Sequence, residues 1–265
     1  MIELAVMGNL SRDVVAGTDP RPGGGVFWST RTLARIGTEA AISASCSAAD
    51  RELLLPPLEA LGLPVAWHES SATTAYSFHY EGDRRIMWLD AVGDPWTPEQ
   101  ATAAAGEASW VNVCALTRTD FSEATLAALA SEGRSLLVDL QGLVRTPRIG
   151  PLHTDEHIGD VLRHVDVLKL NDEEAETLVG SAEPERLQEL GVPEVILTVG
   201  SRGAWIVTPT LLEHIPAVPI DEIVDPTGAG DTYSVVYLVH RARGAEPVEA
   251  ARIASEAVSA MLAGG

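Results

Sequence analysis

Cysteine is scarce: the chain has two, Cys46 and Cys114, and they match no metal-binding or redox spacing. That excludes a disulfide scaffold and points to a reduced, cytoplasmic setting. No apolar run approaches the length needed to cross a bilayer, and the opening Met1-Ile2-Glu3-Leu4-Ala5-Val6 lacks the basic start of a signal peptide. It reads as a first buried strand. Basic residues are few, with 18 Lys and Arg against 38 Asp and Glu, a net charge of −20. Such a surface repels nucleic acid and anionic membranes, whose recognition needs clustered Lys and Arg. A phosphate-bearing ligand would have to be met locally, by backbone N–H groups or a bound cation. Several chemical signatures are also missing. There is no Gly-x-Ser-x-Gly elbow and no Gly-Lys-Ser/Thr phosphate loop. His68, His79, His153, His157 and His164 form no metal-like cluster, and no internal repeat is visible. The first strand leads into Gly8-Asn9-Leu10, which is not the Gly-x-Gly-x-x-Gly turn of a dinucleotide-binding dehydrogenase.

What is present is an alternation of short apolar runs and helical patterns. Hydrophobic residues make up 46% and charged residues 21%, as in an ordinary globular protein, and 265 residues suffice for one large domain. Strands are predicted at 4–7, 41–45, 110–113, 135–139, 165–168, 195–199 and 204–207. Several are unbroken Val/Ile/Leu runs, which suits parallel strands covered on both faces. Helices are predicted at 30–36, 53–61, 122–131, 172–179, 184–190, 230–243 and 247–263. The order implies an α/β sandwich with a mainly parallel sheet. Residues 73–79 and 84–90 break the rhythm and read as a hairpin around Glu81-Gly82-Asp83. Such a hairpin is either an edge element or part of a lid over a site.

The chemistry concentrates in Ile223-Val224-Asp225-Pro226-Thr227-Gly228-Ala229-Gly230-Asp231-Thr232-Tyr233, a Gly-rich turn opening a long helix. Glycines there admit a ligand close to the backbone, and the free N–H groups of the helix start attract an anion. Asp231 stands where a phosphate would be drawn, which suits a group that takes the proton from an attacking hydroxyl. The plainer reading is a glycine turn with Asp as a helix cap. The full Asp-Pro-Thr-Gly-Ala-Gly-Asp-Thr string closely resembles the C-terminal signature of the ribokinase/PfkB carbohydrate kinase family.

The resemblance runs through nearly the whole chain and implies one ribokinase-like domain over residues 1–265. Its fold would be a three-layer α/β/α sandwich with a mainly parallel central sheet and a small, reduced β lid from residues 12–24 and 73–90. It implies an ATP-dependent transfer of the γ-phosphoryl group to a hydroxymethyl group of a sugar or polyol. Asp231 would be the base, and Gly228, Ala229 and Gly230 would form the anion hole. Lys169-Leu170-Asn171-Asp172-Glu173-Glu174 resembles the family's Asn-x-x-Glu element, which places Asn171 and Glu174 near Mg²⁺ and its waters. The same two residues also suit an N-cap with an acidic first turn. Thr198-Val199-Gly200-Ser201-Arg202-Gly203 resembles the family's nucleotide loop. By resemblance, then, Lys169, Asn171, Thr198, Gly200, Gly203 and Thr227 meet ATP. Asp225 and Thr227 fall where relatives hold a monovalent cation such as K⁺.

On the acceptor side, Gly8-Asn9-Leu10-Ser11-Arg12-Asp13 and Pro22-Gly23-Gly24-Gly25 resemble the family's opening segments, and Asp139-Leu140-Gln141-Gly142-Leu143-Val144-Arg145 its Asp-x-Asn-x-x-Arg region. Asn9, Asp13, Gly24, Gly25, Trp28, Asp139 and Arg145 are therefore the expected acceptor contacts. Trp28 departs from the pattern, since relatives place an Asn there. An indole stacks on a ring where an amide would pair, or it simply packs in the core, and stacking keeps a nucleoside acceptor open. A non-catalytic binding protein on a kinase fold is the alternative from another class. The chain stops at Gly264-Gly265 where many relatives continue beside the adenine, so a more open purine site is expected. Relatives with small lids sometimes pair lid strands between subunits, which leaves a homodimer open.

Overall fold

A computed structural model describes residues 4–81, 84–220 and 225–264. The first half of the chain forms β1 (Leu4–Asn9), β2 (Ser11–Val15), β3 (Arg21–Gly23), α1 (Gly25–Arg35), β4 (Ala41–Ser47), α2 (Arg51–Glu59), β5 (Val65–Ser70), β6 (Thr74–Glu81), β7 (Arg84–Ala91), α3 (Pro98–Ala105), β8 (Trp110–Cys114) and α4 (Glu123–Ser131). The second half forms β9 (Ser135–Asp139), α5 (Leu140–Val144), β10 (Gly150–Pro151), β11 (Val167–Asn171), α6 (Asp172–Val179), α7 (Pro184–Leu187), β12 (Glu194–Thr198), β13 (Ala204–Val207), β14 (Leu212–Ile215), α8 (Ala229–Ala242) and α9 (Pro247–Leu262).

Nine strands make the main sheet, in the order β14-β13-β12-β11-β9-β8-β1-β4-β5. Strands β12 through β5 in that order are mutually parallel, and β13 runs antiparallel to both neighbours. Alternate residues of each strand face opposite ways. Leu4, Val6, Ile42 and Ala44 join α1, α2, α8 and α9 in one apolar layer. Ala5, Met7, Val111, Val113, Leu136 and Val138 join α3, α4 and α6 in the other. This is the three-layer sandwich that the unbroken apolar runs imply.

A second sheet of five strands, β10-β7-β6-β2-β3, stands apart from the main one. Residues 12–24 and 73–90 fall largely within it, and β10 adds an edge the sequence reading does not contain. Strands β2 and β6 pair parallel while the other pairs are antiparallel. Tyr76, Phe78 and Leu89 on one face pack with Leu116 of the main body, so the sheet has a small core of its own. Gly82 and Asp83, the middle of the expected hairpin turn, lie outside the described residues.

Other differences are local. Helix α1 starts at Gly25, five residues before its expected start at residue 30. Strand β11 runs to Asn171, three residues beyond its expected end at residue 168. The expected helix over 184–190 is one turn of α7 continued by a 3₁₀ turn. The consequence for the site is the common end of the parallel strands: Asn9, Cys114, Asp139, Asn171 and Thr198 close β1, β8, β9, β11 and β12 on one edge. Open α/β sheets bind ligands there.

Candidate active site

The amino end of α8 is the centre of that edge. Gly228 has φ +83°, so the turn needs a residue that tolerates the left-handed region. It caps the helix and accepts the Thr232 N–H at 2.8 Å. A side chain there would also strike Trp28, since a Cβ would lie 2.7 Å from the indole. Ala229, Gly230 and Asp231 then form the first turn, where N–H groups have no helical partner. The start of α1 meets this turn from the other side. A Cβ on Gly25 would come within 2.8 Å of the Asp231 Oδ1 and 3.0 Å of the Cys114 Cβ. Thr32 and Thr232 then join the two helices by a 2.8 Å hydrogen bond.

Asp231 is half-buried, and loss of surrounding water raises its carboxyl to about 7, with the Asp139 charge adding to the effect and Lys169 and Arg145 opposing it. A carboxylate poised near neutrality is suited to accept a proton at physiological pH. Lys169 pairs with Asp139, Nζ to Oδ2, at 2.9 Å. Burial would lower this ammonium's pKa, but Asp139, Glu174 and Asp231 outweigh it and hold the group above its ordinary range.

Asn171 and Glu174 form a reciprocal capping box on α6. The Asn171 N–H donates to Glu174 Oε2 at 2.9 Å, and the Glu174 N–H donates to Asn171 Oδ1 at 2.8 Å. Burial raises the Glu174 carboxyl, and Lys169 opposes that shift. Its Oε1 has no hydrogen bond among the described residues. No trio of His, Cys, Asp or Glu forms a metal cage among the described residues. One available carboxylate oxygen fits Mg²⁺ that keeps waters and phosphate oxygens for its remaining ligands. Asp225 accepts the Thr227 N–H at 2.9 Å. Desolvation works to raise its carboxyl, but the Thr227 bonds and the charges of Arg21 and Arg31 prevail and hold it low. Ile223 and Val224 lie outside the described residues.

Thr198 ends β12 and donates its hydroxyl to the Leu170 carbonyl at 3.2 Å. Gly200 and Gly203 shape the turn into β13, closed by the Val199 N–H to Gly203 carbonyl bond of 2.8 Å. Arg202 in this turn pairs with Asp172 at 3.0 Å, tying it to the start of α6.

Each of the expected acceptor residues has partners within the protein, and Gly25 and Asp139 lie beside Asp231. Asn9 is buried, accepts the Trp96 indole N–H at 2.9 Å and donates to the Asp94 carbonyl at 3.2 Å. Asp13, on β2, accepts the Ser11 hydroxyl at 2.7 Å. Gly24 caps α1. Trp28 is half-buried against Gly228, with Phe27 edge-on at 5.2 Å and the Arg31 guanidinium 5.5 Å from its ring centre. Arg145 lies 5.6 Å from the Tyr76 ring centre. Asp139 faces Lys169. Sequence reasoning did not find Asn112 and Ser234. Together with Cys114 and Gln141 they line a small polar cavity under Asp231 and Asp139. Two signals were available: Ser234 stands three residues after Asp231 on one helix face, and Asn112 and Cys114 interrupt the apolar run of β8.

The pattern of the pfkB family of carbohydrate kinases matches residues 15–263. The chain belongs to the PfkB family. A ribokinase from Bacillus subtilis is 25% identical over 98% of this PfkB chain and 92% of its own length. A cytidine kinase from Thermococcus kodakarensis is 30% identical over 49% of the chain, and the match spans about half (51%) of that enzyme. Among solved structures, a pyrophosphate-dependent kinase of the ribokinase family superposes with a TM-score of 0.86 at 24% identity, covering 98% of this chain and 95% of that one. A nucleoside kinase from Burkholderia thailandensis, solved with inosine, gives 0.77 at 19% identity, with 98% and 90% covered. This PfkB kinase is therefore a phosphotransferase that acts on an alcohol group.

Proposed function

We propose that this kinase moves the γ-phosphoryl group of ATP to a hydroxymethyl group of a sugar or polyol, with Asp231 as general base. The observation that carries the reading is Asp231 itself, raised to about 7 in the first turn of α8 beside the Gly228–Gly230 turn. The acceptor hydroxyl gives its proton to Asp231. Its oxygen forms a bond to the γ-phosphorus as the bond to the β–γ bridging oxygen breaks, and ADP leaves with that electron pair. The N–H groups of Gly230 and Asp231 would face the charge that develops on the transferred group, while the Ala229 N–H is taken by the Pro226 carbonyl at 3.1 Å. Mg²⁺, when bound through Glu174, Asn171 and water, supplies charge neutralisation at the phosphates. The five-stranded sheet acts as the lid over the acceptor, and Trp28, beside Gly228, supplies an apolar wall to it.

A second reading concerns the donor. The groups placed for it, the helix-start N–H groups and Lys169, recognise phosphate and not a base, and the superposition with a pyrophosphate-using kinase extends over nearly both chains. Inorganic pyrophosphate is thus the alternative donor. The test supplies Mg-ATP or Mg-pyrophosphate with pooled sugars, inositols and other polyols, and nucleosides, and follows ADP or phosphate release. Turnover in a sugar or polyol pool, lost in Asp231→Asn, supports the proposal, and the active donor decides between ATP and pyrophosphate. Turnover confined to nucleosides would replace the acceptor class. Binding without turnover in any pool would favour a non-catalytic binding protein.

A further inference from the structure

We propose that Asp139 is a positioning residue for the phosphoryl donor, holding the Lys169 ammonium against the α8 turn, and that it does not bind the acceptor. The proposal rests on the kinase reading above for what the donor is, and on geometry for the rest.

Strands β9 and β11 are parallel neighbours, and Asp139 and Lys169 are paired in register at the end where the ligand edge begins. Parallel register puts their side chains on one face of the sheet, where they meet at 2.9 Å with 17% and 7% of their side-chain surfaces exposed. The other Asp139 oxygen, Oδ1, accepts the Gln141 N–H at 3.0 Å and caps α5. Both carboxylate oxygens therefore have partners within the protein.

Lys169 in turn lies against the anion turn: a Cβ on Gly230 would be 2.9 Å from its Nζ. The ammonium thus stands beside the N–H groups that would hold a phosphate. The charges of three carboxylates, Asp139, Glu174 and Asp231, act on it, and of these Asp139 is the one it hydrogen-bonds. That choice has a chemical consequence. An unanchored Lys169 could swing onto Asp231, and a base paired with an ammonium loses its affinity for the substrate proton. Asp139 keeps the cation at the phosphate and away from the base. A buried ion pair is a poor source of stability compared with apolar packing, so a pair at this spot has a better reason in the anion it faces.

The test compares wild type, Asp139→Asn, Lys169→Met and the double variant in three measurements. These are calorimetric binding of ATP and of inorganic tripolyphosphate, thermal melting, and kcat and KM with the active acceptor. A charged hydrogen bond to phosphate corresponds to about a 10- to 100-fold change in affinity, so each single variant should weaken tripolyphosphate binding by that much. The acceptor KM should stay within about 2-fold while kcat falls. Each single variant strands a buried charge and should melt lower. The double variant removes both charges and should regain melting temperature, yet bind tripolyphosphate no better than Lys169→Met. Recovery of phosphate binding along with melting temperature would overturn the proposal, because the pair would then be structural. So would an Asp139→Asn that raises acceptor KM and leaves tripolyphosphate binding intact, or a wild type that binds no tripolyphosphate. If no acceptor is phosphorylated but tripolyphosphate binding still depends on both residues, the kinase reading falls and the assignment of the pair stands.

Discussion

Asp231→Asn is expected to remove turnover while making the folded chain harder to melt, and both effects follow from one carboxylate. Its pKa rises from 3.8 to about 7 on folding, chiefly through loss of water. A folded-state pKa raised by about 3 units corresponds to about 4 kcal/mol, and the half-buried setting discounts that to about 2–4 kcal/mol. Because the folded state holds the proton more tightly, this contribution is present in full below the unfolded pKa of about 4. It is lost as the pH rises to about 7, and it is flat beyond that. Asparagine has no proton to lose. The variant should therefore match wild type at about pH 4 and melt several degrees higher at about pH 8. The same wild-type titration governs activity: kcat/KM should fall about tenfold per pH unit below about 7, and the variant should lose at least ~10²-fold above about pH 7, a deficit that narrows at lower pH as Asp231 of the wild type takes up its proton. Scanning calorimetry across about pH 4–8, with the release assay on the same samples, tests both. A melting difference that does not change with pH would refute the raised carboxyl. Undiminished turnover in Asp231→Asn would refute its role as base.

Gly25→Ala would drive a methyl group to within 2.8 Å of Asp231 Oδ1, and displacing a reacting atom by about 1 Å can cost 10²-fold, so kcat should fall at least tenfold, and crowding of the buried Cys114 should lower melting by an amount corresponding to about 1–3 kcal/mol. Gly228→Ala combines φ +83° with a clash on Trp28; equilibrium denaturation should show a loss of about 1–3 kcal/mol, and the Trp28 environment should change in fluorescence. Glu174→Gln keeps an acceptor for the Asn171 N–H, so the capping box and melting temperature should hold, while a titration of Mg²⁺ against rate should shift several-fold to higher concentration.

The central strands were legible because they are the most protected ones: Leu136-Leu137-Val138 and Val195-Ile196-Leu197 have no polar residue to blur the pattern. Strand β5 was not, since at the sheet edge Trp67 and His68 are partly exposed and Glu69 is exposed, which breaks any alternation. Helix α3 hid for a different reason: its buried residues are alanines, which leave a weak apolar stripe. The misjudged ends of α1 and β11 share a cause with the site. Gly24-Gly25 looked like a loop and Lys169 to Asn171 looked too polar for a strand, because the ligand edge demands glycine and charge where regular structure continues. The Gly228–Asp231 turn was legible as a local string. The partnership of Asp139 with Lys169 was not, because it depends on β9 and β11 lying side by side, which nothing in either segment states.

One apolar layer of the main sheet is shared by α1 and α2 from the start of the chain and by α8 and α9 from its end. During synthesis, then, Val6, Ile42 and Ala44 wait with half of their covering helices still unmade. The nascent chain carries an open apolar face through most of translation, a stretch in which chaperones or misassociation would find it. Asp231, the proposed base, is on one of those late helices, and Gly25, which packs against it, is on an early one. Maturation of the fold and assembly of the site are thus the same event, and a chain interrupted before α8 would offer neither a finished core nor a partial catalyst.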